Sequence, residues 1–326
     1  MSPKREKPTA GGKPALSAKR AATGKRAATG KRAAAGKHAA AGKHATAGKH
    51  AAAERRASTG RRAAARKGTA SGKRSTSPAK PTLELFEPDG SISRALVVVA
   101  HPDDVDFGMA GTVATLTAAG VEVTYCLVTS GDAGGDDLVM SKEERATLRK
   151  GEQRAAASCV GVTDLVFLGY PDGMVEPTLA LRRDLARVIR TVRPDVVLTQ
   201  APERNYERVF ASHPDHLSTG EATLRAVYPD ARNPHAFPAL LSDEGLEPHT
   251  VTRVWIGGGG TMGPTMVVDM TAAFDKKLQA LKSHKSQVGD GERLEPMLRE
   301  WGGLMAKNAG LPKGRLAEAY RVIVTG

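Results

Sequence analysis

From residue 95 onward, short apolar runs alternate with longer stretches of helical periodicity. The first run, Ala95-Leu96-Val97-Val98-Val99-Ala100, has the length and β-branching of a buried strand. A helix over about 107–119 follows, then a strand over 121–128, a helix over about 141–159 and a strand over 164–168. A helix over about 178–193 and a strand over 195–200 continue the alternation. Strand and helix alternating through short connections imply right-handed βαβ units and a parallel sheet. Beyond them the pattern predicts a helix from about 214 to 227, apolar runs at 251–256 and 265–270, and a helical stretch from about 272. The expected fold is α/β and Rossmann-like, a mostly parallel sheet with flanking helices.

Residues 1–82 share none of this patterning. They hold 22 Lys or Arg against Glu6 and Glu54, whereas the remainder holds 26 basic and 33 acidic residues, so the overall +13 describes neither part. Almost no apolar side chain larger than alanine is present to offset chain entropy, which predicts a disordered tail. From Ala21 a six-residue unit repeats, Ala-Ala-Thr-Gly-Lys-Arg and variants, through Arg62. Its glycines weaken any helix. Such a polycation can neutralise phosphates, and with no aromatic residue before Phe86 its binding would be blind to base sequence. DNA is the first candidate partner; an anionic membrane surface or simple solubilisation are the alternatives. His38, His44 and His50 recur at the repeat period and read as stand-ins for arginine, not as a metal site.

The expected organisation is a tail over 1–82, a linker over 83–92 and one domain over 93–326. Cys126 and Cys159 form no disulfide framework. No apolar stretch approaches the roughly 20 residues needed to span a bilayer, and no apolar segment follows the N-terminal basic residues. A cytoplasmic location is expected, with nucleoid association if the tail binds DNA.

Two similar motifs carry the candidate chemistry: His101-Pro102-Asp103-Asp104 after the first strand, and His213-Pro214-Asp215-His216 at the start of the helix from 214. Pro102 and Pro214 each suit the first position of a helix, which would place Asp103 and Asp104 in a first turn that favours carboxylates. Either motif alone is compatible with a capped helix start; two at strand-to-helix junctions point to a site. His101, Asp104 and His216 would give two imidazoles and a carboxylate with a fourth position open, the pattern of catalytic zinc, which also serves Fe2+. Asp103 is then free to act as general base, and His213 to face an oxyanion and protonate a leaving amine. The glycines of Ser130–Gly135 and Gly257–Gly260 read as turns, since a dinucleotide fingerprint would have to follow the first strand directly.

With these motifs the chain resembles the LmbE-like, or PIG-L, family of zinc-dependent N-acetylglucosaminyl deacetylases. Further matching stretches are Thr129–Asp132, Arg149–Glu152, Phe167–Gly173 and Ser283–Gln287, in family order through the folded part. The resemblance implies the ligands, base and acid just named, and adds Arg149 and Asp172 as contacts to sugar hydroxyls. It marks Asp106 as an acid near the site and leaves open whether His284 approaches the pocket or packs. Some relatives carry a tyrosine just before the second motif; here Val209-Phe210-Ala211 stand there, and Tyr206 is the nearest phenol. The implied activity is a metal-dependent amidohydrolase that removes acetyl from an N-acetylglucosamine-type substrate. The alternative is a nucleoid-associated protein whose folded domain is catalytically incidental.

Overall fold

A computed structural model of the chain describes residues 83–258, 261 and 263–326; the basic repeat of 1–82 lies outside the described residues, and so do the expectations attached to it. The order of elements begins with β1 (Glu84–Phe86), β2 (Arg94–Val99), α1 (Asp104–Gly108), α2 (Ala110–Ala118) and β3 (Glu122–Thr129). Next come α3 (Lys142–Cys159), β4 (Asp164–Tyr170), α4 (Leu179–Val192), β5 (Val196–Gln200), α5 (Pro214–Arg225) and α6 (Ala239–Ser242). The chain ends with β6 (Arg253–Gly257), β7 (Met266–Asp269), α7 (Phe274–Ser283), α8 (Lys285–Val288), α9 (Leu294–Asn308) and β8 (Ala317–Val324).

Burial on both faces explains the continuous apolar runs of the central strands. In β2, Ala95, Val97 and Val99 join the apolar layer on one side of the sheet, and Leu96 and Val98 the layer on the other. β3 and β5 divide in the same way: Tyr125, Leu127 and Leu198 pack on the first side, and Cys126, Val128 and Val197 on the second. Helix starts follow local chemistry. Ser141 and Glu144 form a reciprocal capping box on α3, Thr178 caps α4, and Pro214 occupies the first position of α5.

The eight strands form one sheet in the order β1-β7-β8-β6-β5-β2-β3-β4. All neighbours are parallel except β8, which runs antiparallel to β6 and β7. Strand order reverses at β2: β3 and β4 step away on one side, β5 and β6 on the other. The loops leaving β2 and β5 diverge there and open a crevice at the C-terminal edge, where open α/β sheets take their ligands. Gly220 brings α5 close to that edge, because a Cβ at this position would overlap the Gln200 carbonyl.

Three sequence expectations shift. The stretch 83–92, expected as a linker, supplies the edge strand β1, and Phe86 packs edge-on against Trp255 with ring centroids 4.8 Å apart. The helix expected over about 107–119 is broken at Met109 (φ −140°) into α1 and α2. The break gives α2 its own N-terminus, which Glu318 of β8 caps by accepting from Gly111 N (3.1 Å), Thr112 N (2.7 Å) and Thr112 Oγ1 (2.6 Å). β8 itself was not anticipated: its buried Glu318 is paired with buried Lys277 at 2.6 Å, a contact no local pattern announces. Among the described residues no helix is long and apolar enough to cross a membrane.

Candidate metal centre

The exits of β2 and β5 are tied together by Ala100 N–H donating to Gln200 Oε1 at 2.9 Å. His101 follows and is buried. Pro102 does not take the first helical position expected for it: Asp103 is the N-cap, and α1 begins at Asp104. Asp103 has φ +90°, a left-handed backbone that Asp tolerates better than most residues but that still carries strain. Its N–H donates to Gln153 Oε1 (2.8 Å), while Arg149 Nη2 donates to the Pro102 carbonyl (2.6 Å) and to Asp103 Oδ2 (3.2 Å). Gly131 and Gly134 make room for that guanidinium, since a Cβ at either would overlap it.

The second motif follows the expected design. His213 caps α5 by accepting the Asp215 N–H on Nδ1 (3.2 Å), so in the neutral ring Nε2 carries the proton. Asp215 is fully buried and accepts from Gly173 N (2.7 Å) and Val175 N (3.2 Å). Those two bonds dock the β4–α4 loop onto α5 and bring Asp172 into the crevice.

The two motifs converge. His101 Nδ1 lies 3.2 Å from His216 Nε2 and 3.3 Å from Asp104 Oδ2, and His216 Nε2 lies 3.0 Å from Asp104 Oδ1. Ligands about 2.0–2.1 Å from a tetrahedral ion sit about 3.3 Å apart, so this donor triangle fits zinc-sized coordination. On its other side His101 Nε2 faces Asp215 Oδ2 and Asp172 Oδ1, each at 3.1 Å. Carboxylates only accept, so Nε2 holds the ring proton and Nδ1 presents its lone pair to the triangle, the usual orientation of a metal-binding imidazole. A second grouping, His101 with Asp172 and Asp215, also has metal-like spacing, as does His101 with His213 and His216.

Electrostatics point the same way. Burial opposes charge on His101, yet the carboxylates of Asp104, Asp172 and Asp215 outweigh it and push the ring up to about 12. So anionic a cluster calls for a cation, whether proton or metal ion. Burial likewise opposes charge on Asp104, but its bonds to His101 and His216 hold it far below the usual carboxylate range. Asp103 is pushed up to about 7, by burial first and then by the charge of Asp104, against the pull of Arg149, His284 and His101. Burial, then the charges of His101 and His216, hold His213 below the usual histidine range.

His101, Asp103, Arg149, Asp172 and His213 line a cavity of about 320 Å³, together with Ala133, Gly134 and Gly173. That is the small end of the range for ligand sites. All seven residues singled out from the sequence are thus brought to one crevice. Tyr206 is 82% exposed and does not line the cavity. His284 packs behind it, fully buried, with Nε2 2.8 Å from Asp106 Oδ2. Sequence reasoning quoted Asp215 within its motif but gave it no task, and it passed over Gln153. The signal for Gln153 was its place one turn after Arg149 on the same helix face.

Comparison with known proteins bears on this geometry. The family model described as PIG-L, GlcNAc-PI de-N-acetylase, matches residues 96–227, which span both motifs. Diacetylchitobiose deacetylase of Thermococcus kodakarensis is 32% identical, over 75% of this chain and 88% of that protein. The 1D-myo-inositol 2-acetamido-2-deoxy-alpha-D-glucopyranoside deacetylase 2 of Catenulispora acidiphila is 34% identical, over 61% of this chain and 81% of that protein. Among solved structures, N,N'-diacetylchitobiose deacetylase from Pyrococcus horikoshii superimposes with a TM-score of 0.66 at 32% identity, covering 73% of this chain and 86% of that one. On fold, motifs and these relatives together, the chain belongs to the PIG-L family of deacetylases.

Proposed function

We propose that this protein removes the acetyl group from an N-acetylglucosamine-type sugar by hydrolysis, with His101, Asp104 and His216 holding a Zn2+ ion and Asp103 acting as general base. The observation that carries the reading is the 3.0–3.3 Å donor triangle of those three residues beside a carboxylate that the triangle does not use. Two imidazoles and one carboxylate with an open position suit catalytic zinc, and Fe2+ is the alternative the same donors allow. Bound there, the ion supplies Lewis acidity, which can lower the pKa of water from about 15.7 to about 7.

The chain's own groups divide the remaining work. Asp103, a carboxylate on the cavity wall that forms no corner of the donor triangle, accepts a proton from the attacking water. His213 lies on the cavity wall with Nδ1 occupied by the Asp215 N–H, so Nε2 is the nitrogen free to donate. It donates a hydrogen bond to the developing oxyanion, and the proton that Asp103 took from the water passes to the departing amine. Acetate and a free amine leave. Arg149 and Asp172, both on the cavity wall, contact sugar hydroxyls; Arg149 also braces the Asp103 turn. The relatives named for diacetylchitobiose and for a glucosaminyl-inositol support an N-acetylglucosamine unit as the common element. The test is amine release from a panel of N-acetylated glucosamine conjugates, before and after chelation. Release that stops on chelation and returns with Zn2+ is expected; no release from any conjugate would refute the reading.

For residues 1–82 we infer from charge alone that they bind polyanions, with DNA first among them. The excess of 22 basic residues over two acids supports electrostatic, salt-sensitive association. A mobility-shift titration of the full chain against a chain beginning at residue 83 should show affinity that falls steeply with salt and is lost with the tail. Equal binding by both chains would refute it.

A further inference from the structure

Asp103 is the strained point of the site, and a buried chain of polar groups leads away from it. Its N–H, in the left-handed conformation at φ +90°, donates to Gln153 Oε1 at 2.8 Å. The same amide donates from Nε2 to Asp106 Oδ2 at 2.9 Å. Asp106 Oδ2 is also 2.8 Å from His284 Nε2, and both residues are fully buried. The order of donors and acceptors is forced. A carboxylate accepts only, so it fixes which end of the Gln153 amide faces it and leaves the oxygen for Asp103. His284, at the end of α7, holds that carboxylate from the other side.

External support is needed here. α1 has five residues, too short to be stable on its own hydrogen bonds. A non-glycine residue at positive φ persists only when its surroundings over-determine it. α7 also grips the far end of α1, where buried Lys277 Nζ donates to the Phe107 carbonyl at 2.7 Å. Asp106 and His284 reach neither the cavity nor the donor triangle.

Resting on the deacetylase reading, we propose that Gln153, Asp106 and His284 form a buried strut that holds Asp103 in its left-handed turn, making His284 and Gln153 positioning residues for the base. The strut acts on geometry: with it cut, the Asp103 turn relaxes and its carboxylate leaves the line of attack.

The experiment compares Gln153→Met, His284→Met, His284→Gln and the double methionine variant in the full chain loaded with Zn2+. Glutamine at 284 can offer a donor near the position of the imidazole Nε2; methionine cannot. Four quantities are read: kcat, KM, bound zinc per chain and hydrogen exchange at the Asp103 amide. Each single methionine variant is expected to lose about 100-fold in kcat, the scale of a 1 Å misplacement, with KM and zinc content unchanged. Exchange at the Asp103 amide should quicken in both, His284→Gln should recover most of the rate, and the double variant should be no slower than the slower single. Wild-type kcat in His284→Met, losses that multiply in the double variant, or an Asp103 amide still protected in Gln153→Met would each overturn the proposal. If His284→Met does not fold, Gln153→Met and its amide exchange decide the matter alone. Failure here with Asp103→Asn still inactive removes the strut and leaves the deacetylase reading standing; an active Asp103→Asn removes both.

Discussion

Replacing Asp215 by Asn probes the centre without touching a proposed ion ligand. The Asp215 carboxylate serves three donors: Oδ1 accepts from Val175 N, while Oδ2 accepts from Gly173 N and faces His101 Nε2. An amide has one oxygen. Whichever way it turns, its NH2 meets a donor: Val175 N–H in one orientation, or Gly173 N–H and His101 in the other. The first is the lesser loss and leaves one buried backbone donor unpaired, at a cost of about 1–3 kcal/mol. For a domain of this size each kcal/mol lowers the melting midpoint by roughly 2–4 °C. The partner of His101 also loses its charge, and changes to such supporting groups typically weaken metal affinity or activity about 10- to 100-fold. The assay is a zinc titration against a competing chelator, beside a thermal melt of the same samples. Asp215→Asn binding zinc as tightly as the parent and melting at the same temperature would refute the role assigned to this carboxylate.

Other expectations follow from the same geometry. Asp103→Asn should keep its zinc yet lose about 10²–10⁴ in kcat, as amine-release kinetics would show; unchanged turnover would remove Asp103 as base. Lys277→Met should strand the Glu318 carboxylate inside the protein and cost roughly 3–5 kcal/mol in a denaturant titration, and an unshifted midpoint would contradict the buried pair. His216→Ala should lose bound zinc, measured as metal per chain, and full retention would contradict its place in the triangle. A chain beginning at residue 83 should deacetylate a small sugar at the parent's rate; a collapse in rate would give the tail a part in catalysis.

Much of the fold was legible because its strands are buried on both faces. β2, β3 and β5 carry apolar residues at consecutive positions, and such runs stand out from amphipathic helices. β8 was not legible, since Glu318 and Arg321 interrupt its apolar pattern. What admits Glu318 to a buried strand position is Lys277 and the start of α2, partners far away in the sequence. The same carboxylate caps the helix start that follows the break at Met109. The paired motifs led to the crevice because each carries its proposed ligands within a few residues of a strand or helix end. Pro102 misled, because the turn it begins is set by Gln153 and Arg149 from α3 and not by the proline's own preference for a helix start. Supports such as Gln153 and Asp215 act through the backbone or through another side chain, and the one-turn spacing of Gln153 from Arg149 is one that every helix face repeats, so it does not stand out.

The central claim concerns where one ion sits: besides the triangle with Asp104 and His216, His101 belongs to groupings with Asp172 and Asp215 and with His213 and His216. A crystal of the zinc-loaded protein, with anomalous scattering measured at the zinc edge, distinguishes them. One peak about 2.0–2.2 Å from His101 Nδ1, Asp104 and His216 Nε2 is predicted. A peak on the other side of the ring, between His101 Nε2, Asp172 and Asp215, or no peak in this crevice, would contradict it.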